Sequence, residues 1–237
     1  MLFFYIRHGD PIYDPDGLTE KGKDQAEKLS EKAAILGFDK IFASTSRRAI
    51  MTATPTAEKT GKEIETLAFA NESEAFRYFG LERNGKGTWC FVDPETVKLF
   101  KSPEVLSLGK NWYKSELFKD TSLSEGVKTV HRETVGLFEK LGYRFNEENG
   151  TYTAVSHKYD RVALFAHGGF GMAFISELLG IPYPLFATRF EYLCCTGVCV
   201  FEIADEGEDI VPKLIQYGND SHLYGKGKAE YNGKEIF

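Results

Sequence analysis

A continuous run of large apolar residues, LFFYI at positions 2–6, ends abruptly at Arg7, His8 and Gly9. Uninterrupted apolar residues are typical of a strand that is buried on both faces, as in parallel sheets. A cationic pair at the end of such a strand is costly unless an anionic group meets it. The start of the chain therefore predicts a central strand whose carboxyl end faces an anion.

Strand and helix patterns alternate at both ends of the chain. Apolar runs predict further strands in DKIFAST, KEIET, RVALFA, GVCVFEI and PKLIQYG. Apolar residues at helical spacing predict helices over residues 19–36, 48–60, 126–141 and 169–179, the second of which contains Pro55. This alternation predicts an α/β fold, a three-layer α/β/α sandwich around a mainly parallel sheet.

Residues 71–158 lack this regularity and are rich in aromatic residues punctuated by proline and glycine. Because 237 residues fit one large domain, we interpret this region as a lid subdomain, a cap inserted within a single domain spanning residues 1–237. Its aromatic side chains either form a small core of their own or line a substrate pocket. They are Trp89, Phe91, Trp112, Tyr113 and Phe118.

The net charge of −6 argues against a general binder of nucleic acid or of anionic membranes. The apolar N-terminal run is far too short to span a membrane and has no basic leader, so we expect a cytoplasmic protein. No C-x-x-C pair is present, and the cysteines are expected to be buried free thiols in a reducing compartment. They are Cys90, Cys194, Cys195 and Cys199.

Polar residues follow three of the predicted strands, at the sheet edge where α/β proteins bind ligands. Arginine offers a planar fork of donors to phosphate or carboxylate, and helix N-termini add backbone N–H groups. The pattern predicts a pocket for a small dianion, and phosphate fits best. The residues are Arg7, His8, Gly9, Ser44, Thr45, Arg47, Arg48, His167, Gly168 and Gly169.

Five stretches, in this order, resemble the histidine phosphatase superfamily, also called the phosphoglycerate mutase-like or RHG family. They are IRHGDP, GLTEKGKDQAEKL, FASTSRRAIMTA, ALFAHGGFGMAFISELLGIP and YGNDSHL. The match is to the branch with a plain H-G-G at the second histidine, and it leaves the middle of the chain unmatched. The resemblance implies a phosphomonoester hydrolase that acts on a small phosphorylated metabolite without a metal ion or other cofactor.

The resemblance also implies roles for individual residues. His8 would be the nucleophile, forming a phosphohistidine that water then hydrolyses, so that one difficult displacement becomes two easier ones. Arg7, Arg48, His167 and Gly168 would bind the phosphoryl group, and His167 would also take part in catalysis by stabilising charge on the phosphoryl oxygens.

The second arginine has two candidates, because the family's S-P-L-x-R-A is written here as STSRRA. Register on Ala49 selects Arg48, and Arg47 is held in reserve because the proline and the leucine are missing. Adjacent residues at the start of a helix cannot share one face, so only one of the two arginines is expected to reach the phosphate.

A carboxylic acid is also needed, to protonate the leaving oxygen and then to help water attack the phosphohistidine. In this branch of the family it is a glutamate shortly after the third strand. Counting on from KEIET through LAFANE places Glu72 at that position. Glu74, Glu82 and Asp10 are the alternatives.

Other functions are left open by the residues. A phosphoglycerate-type mutase would share the first half-reaction, although the loop after RHG is short and lacks the mutases' E-S-x-W-N run. A non-catalytic protein could use the same cationic pocket to bind a phosphorylated ligand. A metal-dependent hydrolase would use His8, His167 and Asp10 as ligands, but nearby arginines would repel the cation. Of the remaining histidines, His222 is expected to pack or hydrogen-bond locally, and His131 and His157 are expected to be surface or core residues of the inserted region.

Overall fold

Strands and helices alternate along the chain in the structure, a computed structural model that describes residues 1–224, 230–231 and 234–235. The strands are β1 (Leu2–Arg7), β2 (Pro11–Tyr13), β3 (Asp16–Leu18), β4 (Lys40–Ser44), β5 (Ile64–Leu67), β6 (Gly80–Arg83), β7 (Lys86–Trp89), β8 (Tyr143–Asn146), β9 (Thr151–Ala154), β10 (Arg161–Ala166), β11 (Val198–Glu202), β12 (Lys213–Asn219), β13 (Glu230–Tyr231) and β14 (Lys234–Glu235). The α-helices are α1 (Glu20–Leu36), α2 (Arg47–Thr60), α3 (Glu72–Phe79), α4 (Pro94–Phe100), α5 (Pro103–Ser107), α6 (Leu123–Lys140), α7 (Gly168–Leu178) and α8 (Tyr183–Ala187). Short 3-10 helices lie at Ala68–Ala70, Gly109–Lys114, Glu116–Phe118 and Ser221–Leu223.

The central sheet has six strands in the order β12-β11-β1-β10-β4-β5. Parallel pairing joins β1 to β10, β10 to β4 and β4 to β5. Strand β11 runs antiparallel to β1, and β12 runs antiparallel to β11. Within this sheet β11 alone opposes the direction of β1, which confirms the prediction of a mainly parallel sheet.

Helices cover both faces of the sheet. Successive side chains of β1 point to opposite faces, so neighbouring residues of this strand contact different helices. On one face, Phe4 shares a buried cluster with Leu29 of α1 and with apolar residues of α2. On the other face, the ring of Phe3 lies 5.5 Å from that of Phe138 in α6 and 5.9 Å from that of Phe174 in α7. The three-layer α/β/α arrangement is therefore confirmed.

The predicted long elements are all present, with small shifts at their ends. The largest shift is at α6, which was expected to start at residue 126 and begins at Leu123. Pro55 lies inside α2, which continues to Thr60 and ends at Gly61, where the backbone is left-handed. Helices α3, α4, α5 and α8 were not predicted, because five to eight residues carry too little apolar periodicity to be recognised.

Residues 71–158 contain α3 to α6 and two hairpins, β6–β7 and β8–β9. Two of the aromatic side chains there, Trp112 and Phe118, are buried and pack around Phe100. The ring of Trp112 also stacks on Tyr183 of α8, 5.8 Å away, so this group continues the core of the second sheet face. That the region acts as a cap within a single domain stays a prediction.

The cysteines are free thiols, as expected. Cys90 and Cys199 are buried, whereas Cys194 and Cys195 are only half-buried in the loop before β11, so the prediction of complete burial is wrong for this pair. Of the helices that the structure describes, none combines the length and the apolar character that a membrane span requires.

Candidate active site

His8 follows β1 at the edge where the parallel strands end, and its side chain is buried. Its Nδ1 lies 2.7 Å from the carbonyl oxygen of Gly9, which can only accept, so Nδ1 carries a proton. Burial, reinforced by the nearby Arg7, lowers the pKa of His8 from 6.5 to about 3. The ring is therefore neutral, and its Nε2 has a free lone pair that can act as a nucleophile.

His167 follows β10 and faces His8, with the two ring centroids 5.1 Å apart. Its Nε2 lies 2.8 Å from the hydroxyl of Ser44 and 3.1 Å from that of Ser46. The pKa of His167 is lowered by burial first and then by the charges of His8 and Arg48. The chain thus brings together two neutral imidazoles that lie far apart in sequence.

Three residues support His167, and two of them, Tyr5 and Ser46, were not identified from the sequence, whereas Ser44 is among the polar residues predicted at this edge. The hydroxyl of Tyr5 donates to the carbonyl of His167 at 2.6 Å and accepts from its N–H at 3.3 Å. Tyr5 is hidden in the apolar run of β1, where a tyrosine gives no sign of a polar role. Ser44 and Ser46 flank a predicted strand end, which was the available signal.

Arg7, at the end of β1, is held from two sides. Its Nη1 donates to the carbonyl of Leu193, and its guanidinium lies over the ring of Tyr192, 5.2 Å from the centroid. A Cβ placed on Gly168 would lie 3.4 Å from Nε of Arg7, so the backbone at the start of α7 passes close to the guanidinium. These contacts fix the arginine beside the N-terminus of that helix.

Of the two adjacent arginines at the start of α2, Arg48 faces the site. Its Nη1 pairs with the carboxylate of Asp16 at 2.7 Å, and its guanidinium lies 5.4 Å from the ring centroid of Tyr13. Arg47 is exposed, and its backbone N–H donates to the same carboxylate. The charge of Arg48, and not that of Arg47, is among the causes that lower the pKa of both site histidines. This placement favours Arg48.

Three nitrogen atoms at this site are buried and have no hydrogen-bond partner among the described residues: Nε of Arg7, Nε of Arg48 and Nδ1 of His167. Buried polar groups in folded proteins are nearly always hydrogen-bonded, so each exception calls for a reason. Guanidinium donors match phosphate oxygens in geometry and charge. The two guanidinium nitrogens can donate to phosphoryl oxygens, and Nδ1 of His167 can donate when its Nε2 accepts from the hydroxyl of Ser44 or Ser46.

Glu72 lies at the first position of α3, and its carboxylate reaches the N-terminus of α7. One oxygen accepts from the N–H of Gly169 at 2.9 Å and the other from the N–H of Phe170 at 2.8 Å. Burial raises the pKa of Glu72, although these two N–H groups and the charge of Arg48 act in the opposite direction. A carboxyl group with a raised pKa beside an anion pocket can exchange protons with a bound ester.

The other candidate acids lie elsewhere or have other partners. One carboxylate oxygen of Asp10 accepts from the hydroxyl of Thr19 at 2.7 Å, next to the N-terminus of α1. Glu74 is exposed and lies 3.6 Å from Arg77, and Glu82 is exposed on β6. Of the four predicted acids, Glu72 is the one that caps the helix following His167.

A steric constraint explains why glycine follows His8. A Cβ on Gly9 would lie 2.6 Å from the carbonyl oxygen of Gly22, and a Cβ on Gly22 would lie 2.2 Å from that of Asp10. The turn therefore lies directly on the first turn of α1, and the N–H of Gly9 donates to Thr52 of α2 at 3.0 Å. Backbone packing at this turn fixes the direction in which His8 projects.

The remaining histidines make polar contacts with other parts of the chain. These are His131 with Glu177 at 2.7 Å, His157 with Asp160 at 2.9 Å and His222 with Thr196 at 2.9 Å. Across the described part of the chain, no group of three or more histidine, cysteine, aspartate or glutamate side chains is arranged to hold a metal ion.

Comparisons with known proteins agree with this geometry. Residues 4–85 match the model of the histidine phosphatase superfamily (branch 1). A phosphoserine phosphatase from Entamoeba histolytica, solved with 3-phosphoglyceric acid, has the same fold with a TM-score of 0.58 at 20% identity, covering 94% of this chain and 99% of that one. A mutant of that enzyme with phosphoserine gives a TM-score of 0.60 at 18% identity over 94% and 99% of the two chains.

A mycobacterial glucosyl-3-phosphoglycerate phosphatase, in complex with VO3, gives a TM-score of 0.56 at 17% identity, covering 92% of this chain and 98% of that one. A comparison with curated protein sequences finds no significant match. The match of residues 4–85 confirms the resemblance to the histidine phosphatase superfamily. The assignment to the branch with H-G-G stays a prediction.

Proposed function

We propose that this protein is a phosphomonoester hydrolase that acts on a small phosphorylated metabolite through a covalent phosphohistidine at His8. The observation that carries the proposal is the state of the His8 ring. Its Nδ1 donates to the Gly9 carbonyl, so Nε2 keeps its lone pair, while Nε of Arg7, Nε of Arg48 and Nδ1 of His167 are buried without hydrogen-bond partners among the described residues. A pocket that only binds an anion has no need for a nucleophile in that position.

In the first step, Nε2 of His8 attacks phosphorus and the bond to the ester oxygen breaks. The leaving oxygen takes a proton from the carboxyl group of Glu72, whose pKa is raised by burial. Charge on the three transferring oxygens is stabilised by Arg7, Arg48 and His167, groups that are already oriented before the substrate binds. The Gly9 carbonyl stabilises the cationic phosphoimidazole that forms.

In the second step, the carboxylate of Glu72 accepts a proton from a water molecule, which attacks phosphorus. The bond from phosphorus to Nε2 breaks, its electron pair returns to His8, and inorganic phosphate leaves. Both steps use groups of the chain alone, so the proposed mechanism requires no metal ion or other cofactor.

The comparisons support the reaction class. The structural neighbours named above are phosphatases of phosphoserine and of glucosyl-3-phosphoglycerate, and the matched family is one of phosphatases. These names favour a phosphorylated metabolite as the substrate and water as the acceptor.

The test is a screen of phosphate release over sugar phosphates, nucleotides, phosphoglycerates and phosphopeptides, with and without a strong chelator. His8→Ala is the blank, and His157→Ala, which replaces an exposed histidine, is the matched control. We expect release by the wild type and the control and none by the blank. A quenched reaction should yield an acid-labile phosphoryl group on His8.

Equal release by His8→Ala would reject the mechanism, and so would a phosphoryl adduct on another residue. Phosphate moved to a second hydroxyl of the substrate, with little release, would favour a mutase. Tight binding of phosphorylated ligands without turnover would favour the non-catalytic alternative.

A further inference from the structure

Four aromatic side chains form a continuous row beside the site, which we call the aromatic wall: Phe76, Trp89, Phe91 and Tyr192. The ring centroids of Phe76 and Trp89 are 5.0 Å apart, those of Trp89 and Phe91 5.5 Å, and those of Phe91 and Tyr192 6.2 Å. Three parts of the chain contribute to the wall, namely α3, the end of β7 with the turn that follows it, and the loop before β11. Distant parts of the chain therefore meet to build it.

At one end of the aromatic wall Phe76 is the terminal ring, and the adjacent Trp89 contacts the helix N-terminus that Glu72 caps. A Cβ on Gly169 would lie 2.4 Å from Cζ2 of Trp89, so the indole rests directly on this backbone. The N–H of the same glycine donates to Glu72 at 2.9 Å. The proposed proton donor to the leaving group is thus next to the indole.

The other end of the wall lies on the phosphate-binding side. Tyr192 lies against the guanidinium of Arg7, and a Cβ on Gly168 would be 3.2 Å from its Cδ2. The wall therefore extends from the group that binds the phosphoryl oxygens to the group that protonates the leaving oxygen. A leaving group bonded to that oxygen is positioned beside the aromatic rings.

The wall is accessible, unlike the buried aromatic cluster around Trp112. Phe76 is 36% exposed, and Trp89, Phe91 and Tyr192 are half-buried. Next to Arg48 the ring of Tyr13 is 71% exposed. Apolar rings on both sides of a cationic pocket provide contact area for an apolar substrate group.

We propose that the aromatic wall binds the leaving group, and that the substrate is the phosphate monoester of an alcohol carrying an aromatic ring or another flat apolar group. This inference rests on the proposed phosphatase function. Offset or edge-to-face ring contacts contribute about 0.5–1.5 kcal/mol beyond the area they bury. A substrate carboxylate next to the wall would instead be desolvated without forming an ion pair with Arg7 or Arg48, since both face the phosphoryl group.

The test compares three esters with similar alkyl oxygen leaving groups: 2-phenylethyl phosphate, glycerol phosphate and phosphoserine. We expect kcat/KM of the wild type to be about tenfold higher for 2-phenylethyl phosphate, the ratio that corresponds to about 1.4 kcal/mol. Trp89→Ala and Phe91→Ala should remove most of this preference. Tyr113→Ala, which replaces a half-buried aromatic residue outside the wall, should keep it.

Inhibition by inorganic phosphate checks that the anion pocket is intact in each variant. Phe91→Ala leaves the contact between Trp89 and Gly169 in place, so its effect does not come from a disturbed start of α7. A wild type that prefers phosphoserine or glycerol phosphate would overturn the proposal. So would wall variants that lose activity on all three esters equally.

Binding of phosphonates separates this inference from the proposed hydrolysis, because phosphonates are not turned over. Calorimetry should show tighter binding of benzylphosphonate than of methylphosphonate, and Trp89→Ala should abolish the difference. That result together with no hydrolysis of any ester would reject the phosphatase and keep the wall as an aromatic-ligand site. Equal binding of the two phosphonates would reject the wall assignment even if hydrolysis is observed.

Discussion

The hydroxyl of Tyr5 contacts both backbone polar groups of His167, donating to the carbonyl at 2.6 Å and accepting from the N–H at 3.3 Å. Tyr5 lies in β1, and His167 directly follows the neighbouring parallel strand β10. Because this phenol forms hydrogen bonds with both backbone groups at once, it fixes the backbone of His167 and therefore the position of its imidazole relative to His8. Tyr5 is therefore a positioning residue of the proposed mechanism.

Replacing Tyr5 by Phe should lower kcat about tenfold with a smaller effect on KM, because His167 loses its backbone support while the phosphate donors stay in place. The free energy of unfolding should fall by about 1–3 kcal/mol, since a buried N–H and carbonyl lose their partner. Steady-state kinetics and urea unfolding measure the two effects. Tyr183→Phe, which removes another buried hydroxyl, paired with Cys90, should lower stability without lowering kcat. Equal kcat values for Tyr5→Phe and wild type would contradict the positioning role.

Replacing Glu72 by Gln should affect substrates according to their leaving group. The amide oxygen of a glutamine can accept from one of the two N–H groups at the start of α7, while its NH2 group faces the other, and it cannot act as the proton donor. We expect a loss of about 10²–10⁴ in kcat for alkyl phosphates and a much smaller loss in phosphoenzyme formation from p-nitrophenyl phosphate, whose leaving group needs no proton. Burst kinetics measure that step. Glu74→Gln, two positions away and exposed, is the control. A uniform loss for both substrate types would argue that Glu72 only caps the helix.

Chain order and local pattern predicted the positions that follow parallel strands. His8 and His167 could be placed together because the carboxyl ends of such strands meet at one edge. Glu72 could be counted forward from the third strand, and Arg48 was chosen by register. Placing the two histidines together needs only the backbone topology, whereas Glu72 and Arg48 follow from the resemblance to the family's sequence pattern.

The contacts that position these groups could not be predicted in the same way. Tyr5 reaches His167 across two paired strands, and Ser44 reaches the same ring from a third, so both contacts depend on side-chain directions in the assembled sheet. The contact of Trp89 with Gly169 joins the irregular middle of the chain to α7. No periodic pattern specifies such a contact, and the alternatives for these aromatic residues stayed open.

Acid should destabilise the protein through the site histidines. Burial lowers the pKa of His8 from 6.5 to about 3, and it lowers that of His167 as well. Between these values the unfolded chain binds protons that the folded chain excludes. The free energy of unfolding should therefore be highest above pH 6.5 and fall as the pH drops towards 3, by about 1.4 kcal/mol per pH unit for each such histidine.

Urea unfolding at several pH values between 7 and 4 measures this slope. His8→Gln should lower this slope by about 1.4 kcal/mol per pH unit, because the unfolded variant binds one proton fewer than the unfolded wild type. Val155→Ala, at an exposed position without a titratable group, should leave the slope as it is in the wild type. An unchanged slope in His8→Gln would show that the ring is protonated in the folded protein.

His131 should contribute stability with the opposite dependence on pH. Its hydrogen bond with Glu177, followed by that with Glu147, raises the pKa of His131 from 6.5 to about 9. The folded chain therefore holds a proton that the unfolded chain releases above pH 6.5. The stabilisation is complete below pH 6.5 and is lost as the pH rises through about 9.

His131→Gln should thus lower the free energy of unfolding by about 1 kcal/mol more at pH 6 than at pH 10, a modest value for a partly exposed pair. Glu148→Gln, an exposed neighbour, serves as the control for general charge effects. Equal destabilisation by His131→Gln at the two pH values would mean that the imidazole is held by packing against Phe145, 5.3 Å away, rather than by its charge.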